Sequence, residues 1–203
     1  MSVKPETVKI TFSEGEISRM LNYADKKYSS GHWGGGSFYT PEEQGLVDLF
    51  GKQNKAVELT LFNIKIICNW IREFTKQGYM LSAEDISVLQ KFYKKIKSLY
   101  DKRKLKYQKV SEEYDKEKKG ILDTLKGFKT GKAIPAKVIS ILKKKAELFD
   151  QEYAENKNAD TEFLTAEITR YFLLENNLFT ARLNMISDVL ELLEVMLPAA
   201  YRE

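Results

Sequence analysis

The spacing of apolar residues along the chain predicts a protein built mainly of α-helices. One apolar pattern predicts a well-buried helix from about 41 to 77. It begins at "TPEE", a typical helix start with proline in the first turn. Nearer the N-terminus, residues recur every three or four positions as on one face of a short amphipathic helix over about 14–28: Ile17, Leu21, Ala24 and Tyr28.

Another long apolar pattern begins at "SAED" near residue 82 and continues to Ile121. Its apolar and aromatic residues recur in steps of three and four over about 40 residues, which is typical of a long helix in a coiled coil. Tyr100, Tyr107 and Tyr114 share this stripe and are expected to face the core. A helix of this length spans about 60 Å at 1.5 Å per residue, so an elongated molecule is expected.

A third long pattern runs from Ala136 to about Met196, and the polar sequence "AENKNADTE" is a candidate kink or interruption in it. The predicted fold is therefore all-α, an elongated antiparallel bundle of three long helices over residues 44–203. An irregular N-terminal segment, residues 1–43, holds the short helix and the glycine-rich sequence "SSGHWGGGS".

The end of the third pattern, "YFLLENNLFTARLNMISDVLELLEVML", is apolar on more than one face. A helix with two apolar stripes packs against two partners. One partner is the rest of the same chain, and we expect the other to be a second copy. The predicted homodimer interface consists of Phe172, Phe179, Leu183, Ile186 and Leu190.

Charge is segregated along the chain. Residues 91–145 contain 19 Lys or Arg and 6 Asp or Glu, whereas the remainder contains 14 basic and 23 acidic residues. Because like charges in one region attract an oppositely charged partner, this segregation favours an anionic partner. A solvated helix face is the alternative explanation for such a basic run.

The candidate anion-binding residues are almost all lysines, and they lie on the long helix and around the sequence "KGFKTGKAIPAK". An anionic lipid surface attracts each such residue by about 1 kcal/mol. Nucleic acid is more often bound with arginine and with exposed aromatic residues between the charges, so lipid is favoured over nucleic acid as the partner. The predicted set is Lys94, Lys95, Lys102, Arg103, Lys104, Lys106, Lys109, Lys118, Lys119, Lys126, Lys129, Lys132, Lys137, Lys143, Lys144 and Lys145.

The sequence has little on which catalysis could rest. Its single histidine, His32, lies in the glycine-rich segment without an acid close to it in sequence. The stretch "GFKTGKA" differs from a phosphate-binding P-loop in its glycine spacing and has Ala133 where a hydroxyl belongs. We therefore expect a protein that is not an enzyme and that carries no cofactor and no metal.

The expected compartment is the cytoplasm, with peripheral attachment to a membrane. The sequence shows neither a signal peptide nor a run of about 18 apolar residues. The single cysteine, Cys68, lies in the apolar run "LFNIKIICNWI" and is expected to be a buried core residue.

Two long stretches resemble a BAR domain. "LQKFYKKIKSLYDKRKLKYQKVSEEYDKEKKGIL" is similar to the second helix of that family, and "AELFDQEYAENKNADTEFLTAEITRYFLLENNLFTARLNMISDVLELLEVMLPA" is similar to the third. The resemblance covers about residues 44–198 and is one of pattern. It implies a crescent-shaped homodimer whose lysines hold an anionic, curved membrane, with the lysine-rich turn as the tip.

Two other classes of function stay open beside this one. An all-helical interaction module, such as a secretion adaptor, a chaperone or an immunity-type protein, would use the apolar C-terminal helix to bind another protein. A nucleic-acid binder is the other class, and a comparison of lipid and duplex affinity at the same salt concentration distinguishes it. Hydrophobic periodicity does not separate these classes.

Overall fold

The computed structural model of the protein describes residues 5–29, 39–52, 56–76, 78, 80–156 and 158–202. Over these ranges the chain is mostly helical, as predicted, with one small sheet in addition. The elements in chain order are β1 Thr7–Thr11, α1 Glu14–Ser29, α2 Pro41–Gly51, β2 Ala56–Thr60, α3 Leu61–Lys76, α4 Ala83–Thr124, α5 Ala136–Leu148, α6 Thr161–Met196 and a 3₁₀ helix at Ala199–Tyr201.

These elements are divided between two compact units. The first comprises residues 5–101 and 184–202 and contains the two-stranded antiparallel sheet with α1, α2 and α3. It is called the hairpin unit below, although α1 and α2 separate its two strands in sequence. The α5 unit comprises residues 102–183. Both long helices, α4 and α6, contribute residues to each unit.

The prediction of one helix over 41–77 is wrong, because the segment between α2 and α3 forms strand β2. This strand pairs antiparallel with β1, and Val57 lies opposite Ile10 while Leu59 lies opposite Val8. All four of these side chains are buried. Burial therefore alternates along β2 with the period of two that a strand requires, whereas a helix would bury residues at a period near 3.6.

The other predicted helices agree better with the structure. The short helix expected over 14–28 is α1, and the long pattern from about 82 to 121 is α4, which ends at Thr124. The third pattern is interrupted, since α5 ends at Leu148 and α6 begins at Thr161. Asp150, in the segment between them, has a φ of 55°, which a regular helix does not allow.

Aromatic rings lie at the centre of the hairpin unit. Phe12 makes edge-to-face contacts with Phe50 and Phe92, at ring-centroid distances of 5.4 and 6.1 Å. Trp70 and Cys68 are buried in the same core, which confirms the prediction for the cysteine. Burial raises the pKa of the Cys68 thiol to about 12, so this thiol stays protonated at neutral pH.

Three helices of the hairpin unit begin with a reciprocal capping arrangement that involves a carboxylate. In each, the hydroxyl of the cap residue accepts the N–H of the third helical residue, whose carboxylate accepts the N–H of the cap residue. The pairs are Ser13 with Glu16 in α1, Thr40 with Glu43 in α2, and Ser82 with Asp85 in α4.

In the α5 unit the tyrosines of α4 pack against α6. Tyr107 lies 6.5 Å from Phe179 and Tyr114 lies 5.7 Å from Phe172, measured between ring centroids. The Tyr114 hydroxyl also donates a hydrogen bond of 3.1 Å to Glu175. The expectation that these tyrosines face the core is confirmed for Tyr114 and for Tyr100, which are partly buried and pack against the two cores, whereas Tyr107 is partly buried and lies outside both.

Candidate functional site

Most of the predicted basic residues are exposed. Three of them, Arg103, Lys118 and Lys145, are partly buried, and the other members of the set lie on the surface. Lys94 and Lys95 belong to the hairpin unit, whereas the rest belong to the α5 unit. The α5 unit therefore holds nearly all of the candidate anion-binding residues.

The lysine-rich turn, residues 125–137, is held in place by apolar side chains. Leu125 and Ile134 are buried in the core of the α5 unit, and Phe128 packs against that core. Gly127 and Gly131 have φ angles of 83° and 85°, a conformation that glycine adopts without steric cost. The chain thus reverses direction through a defined turn.

The lysines of this turn point away from that apolar anchor. Lys126 is exposed and forms an ion pair of 2.6 Å with Asp123. Lys129, Lys132 and Lys137 are exposed and have no ion-pair partner among the residues that the structure describes. Two of these uncompensated positive charges, Lys129 and Lys132, therefore lie on a turn that is packed against the core, and the third, Lys137, lies in the first turn of α5.

Acidic residues of α6 neutralise part of the charge that α5 carries. Glu167 forms ion pairs with Lys145 and, at 3.0 Å, with Arg170. Burial raises the pKa of the Glu167 carboxyl, but the hydrogen bonds and positive charges of its two partners outweigh burial, so the pKa lies below its usual value. Lys145 is therefore committed to a contact within the protein.

A cleft of about 680 Å³ opens beside this ion pair. It lies between α5, the segment 149–160 and α6, all in the α5 unit. Most of its lining is aliphatic or aromatic, and three large apolar side chains of the lining are exposed: Phe149, Phe163 and Leu173. A volume of this size falls in the range of roughly 300–1,000 Å³ that is typical of small-molecule sites.

The hydroxyl of Tyr153 is the unsatisfied polar group of the cleft. It is buried and has no hydrogen-bond partner among the described residues. Burial and, to a lesser extent, the charge of Glu155 raise the pKa of this phenol, so it is neutral at physiological pH. The ammonium of Lys143 lies 6.0 Å from the centre of the Tyr153 ring.

The sequence did not predict this cleft. The apolar residues Phe149 and Tyr153 lie in the polar segment between α5 and α6, but they are four positions apart and fit the helical pattern of that region. Such residues in a loop are a hint of a binding surface, but their convergence depends on how α5 and α6 pack.

The residues of the predicted dimer interface have contacts inside the protomer. Phe172 and Ile186 are buried, while Phe179, Leu183 and Leu190 are partly buried. Phe179 packs on Tyr107 and Tyr114. The large apolar residues that α6 leaves exposed are different ones: Phe163, Leu173, Leu178, Met185 and Val195.

Charged residues buried in the hairpin unit are all paired. Asp85 accepts hydrogen bonds from Arg19 and from the Tyr23 hydroxyl, and Glu16 accepts them from Lys91 and Ser87. Burial disfavours the charged form of Asp85, yet Arg19 and Tyr23 lower the pKa of its carboxyl below the usual value. We interpret this network as structural, since every carboxylate caps a helix.

The remaining sequence predictions concern the glycine-rich segment, metal sites and membrane-spanning helices. His32 and the glycine-rich sequence around it lie outside the described residues. Among the described residues, no group of three His, Cys, Asp or Glu is placed to hold a metal ion. Within the same ranges, no helix has the length and apolar content needed to cross a bilayer.

Comparisons with known proteins assign no family to the chain. The sequence matches no protein-family model, and it is not significantly similar to any curated protein or solved structure.

Proposed function

We propose that this protein is a non-enzymatic binder of anionic membrane surface that uses its lysine-rich turn. One observation carries the proposal: Leu125, Phe128 and Ile134 anchor the turn, while its lysines are exposed. If these lysines served only to keep a helix face in contact with water, the turn that carries them would not need to pack against the core.

The size of the expected attraction agrees with a peripheral interaction. Each lysine near an anionic lipid surface contributes about 1 kcal/mol, so Lys129, Lys132 and Lys137 together strengthen binding by roughly a hundredfold. The exposed Lys143 and Lys144 of α5 can add to this attraction. The proposed location is accordingly the cytoplasmic face of a membrane.

A second copy of the chain would double the number of lysines and raise the apparent affinity through simultaneous contacts. The homodimer that the resemblance to BAR domains implies is part of the proposal for this reason. The exposed apolar residues of α6, such as Leu178, support an interface on that helix. The crescent of three long helices has less support than the homodimer, because α2 and α3 are short and are separated by a strand.

Cosedimentation with vesicles tests the proposal. Lys129, Lys132 and Lys137 are all replaced by glutamate, and the variant is compared with the parent on phosphatidylserine-containing and on pure phosphatidylcholine vesicles. The control replaces three exposed lysines of the hairpin unit, Lys52, Lys76 and Lys97, by glutamate, which gives the same change in net charge.

We expect the turn variant to bind phosphatidylserine vesicles no better than neutral ones, while the control keeps most of its binding. Binding should also weaken as salt is raised, because the Debye length falls from about 10 Å at 0.1 M to about 3 Å at 1 M. Equal loss in both variants would show that only net charge matters, and a parent that never binds vesicles would refute the proposal. Tighter binding to duplex nucleic acid at the same salt would refute it as well.

The second candidate function is that of a helical protein-interaction module. It is favoured by Leu173 and Leu178, which are 57% and 42% exposed on α6. Sedimentation of the purified protein measures its mass in solution and so distinguishes the two candidates by oligomeric state. A dimer supports pairing between copies of the chain, whereas a monomer that binds no vesicles leaves these residues for a different protein.

A further inference from the structure

We propose that the cleft of the α5 unit binds an uncharged single-chain amphiphile, an aliphatic chain that ends in a hydroxyl or another neutral oxygen group. This site is separate from the lysines of the turn, and the proposal does not depend on membrane binding. It rests on three features of the cleft: its apolar lining, its internal charge balance and the hydroxyl of Tyr153.

The apolar lining provides the place for the chain. Ile134, Leu142, Leu164 and Leu174 line the cleft together with the exposed Phe149 and Phe163. Large aromatic side chains exposed at a concave surface lose their contact with water when an aliphatic chain covers them, and this burial is favourable. A chain of methylene groups matches such a lining without demanding hydrogen bonds.

The charges of the cleft explain why the ligand should be neutral. Lys145 and Glu167 form an ion pair with each other and are largely buried, with side-chain exposures of 18% and 15%. Arg170 and Glu152, the other charged residues of the lining, have opposite signs and are exposed. The described lining therefore carries no net charge. The Lys143 ammonium, 6.0 Å from the centre of the Tyr153 ring, is exposed and lies outside the lining, so a charge buried in the cleft would lose its hydration without gaining a buried counterion.

Tyr153 supplies the specific contact. Its buried hydroxyl has no hydrogen-bond partner among the described residues, although buried polar groups in proteins are nearly always paired. The Tyr153 side chain lines the cleft and is only partly buried. Once a ligand displaces the groups that cover its hydroxyl, this protonated phenol can donate a hydrogen bond to the ligand oxygen and accept one from a ligand hydroxyl. A neutral alcohol satisfies both requirements.

Titration of the full-length protein with 1-decanol, decanoate and decyltrimethylammonium tests the proposal, with each probe kept below the concentration at which it forms aggregates. We expect saturable 1:1 binding of decanol, and binding of both charged probes that is at least tenfold weaker. In a ¹⁵N-correlated NMR spectrum, decanol should shift resonances of residues that line the cleft and leave those of the hairpin unit in place.

Two substitutions localise the effect. Tyr153→Phe removes one hydroxyl and keeps the ring, so it should weaken decanol binding about fivefold, the effect of one neutral hydrogen bond. Ala146→Phe places a large side chain in the lining and should abolish binding. Tyr171→Phe, a tyrosine of the same unit outside the cleft lining, is the matched control and should bind decanol like the parent.

Several results would overturn the proposal. These are the absence of saturable decanol binding, equal affinity for the charged probes, and decanol binding that Tyr153→Phe leaves unchanged. If Ala146→Phe does not fold, the comparison of Tyr153→Phe with Tyr171→Phe still decides the outcome. Vesicle binding by the turn lysines would be unaffected by any of these results.

Discussion

Glu16 of α1 and Asp85 of α4 each cap the first turn of their own helix and bind a cation from the other helix. Lys91 of α4 contacts Glu16 at 2.6 Å, and Arg19 of α1 contacts Asp85 at 3.2 Å. Both carboxylates are buried, at 2% and 0% exposure. This reciprocal arrangement joins α1 to α4 by two charged contacts, and the same two carboxylates cap the N-termini of the helices.

Removing the charge of Asp85 should destabilise the protein strongly. In Asp85→Asn the Arg19 guanidinium loses its partner and the Tyr23 hydroxyl loses an ionised acceptor. Breaking a buried pair from one side costs about 3–5 kcal/mol, and we expect about 2–3 kcal/mol here because Arg19 is partly exposed. Urea unfolding followed by circular dichroism measures the change. Asp123→Asn, which removes an exposed ion pair, should have little effect; equal effects of both substitutions would contradict this interpretation.

Acid should destabilise the protein through the same carboxylates. The pKa values of Glu16 and Asp85 are lowered in the folded state, because hydrogen bonds from Lys91 and Arg19 outweigh the opposing effect of burial. Their contribution to stability is therefore complete above the unfolded-state pKa values of about 4, and it is lost as the pH falls through the lower folded-state values.

Urea unfolding at a series of pH values checks this expectation. The free energy of unfolding should change little from these two groups between pH 7 and pH 5 and should fall below about pH 4. Asp85→Asn should show a shallower fall, since one of the two groups no longer titrates. An unchanged slope in the variant would assign the acid sensitivity to other carboxylates.

Tyr107 should contribute to stability through its ring and much less through its hydroxyl. The ring packs on Phe179, whereas the Thr180 hydroxyl lies at a long 3.4 Å from the Tyr107 oxygen. Tyr107→Ala should lower the free energy of unfolding by about 2 kcal/mol, less than for a fully buried aromatic residue. Tyr107→Phe should change it by less than about 1 kcal/mol. The melting temperatures of the two variants provide the measurement, and similar losses would argue against packing as the cause.

The homodimer prediction can be tested at a residue that does not support the fold of the protomer. Leu178→Asp adds a charge to an exposed apolar position of α6, and Asn177→Asp adds the same charge at its exposed neighbour. If α6 pairs with a second copy through this face, Leu178→Asp should shift the sedimenting mass from dimer to monomer with little loss of melting temperature. Phe179→Asp cannot make this distinction, because Phe179 packs on tyrosines of its own chain. A dimer that persists in Leu178→Asp would place the interface elsewhere.

The sequence by itself determined those elements whose signals are local. The extents of α1 and α4 follow from an apolar stripe with helical period and from the capping sequences at their starts, such as the pair Ser82 and Asp85. The interruption before α6 was also visible as a polar stretch. In each case the residues that decide the structure are close to one another in sequence.

Only the tertiary structure decided that residues Ala56–Thr60 are a strand, because their hydrogen-bond partner is β1, far away in the chain. Likewise, the charge run in the sequence did not show that Glu167 neutralises Lys145, or that Tyr153 is buried beside a cleft. The periodicity of apolar residues indicates which face of a segment is apolar, but it does not indicate which other segment packs against that face. Pairing, charge compensation and cavities depend on contacts between distant residues, and these exist only once the chain has packed.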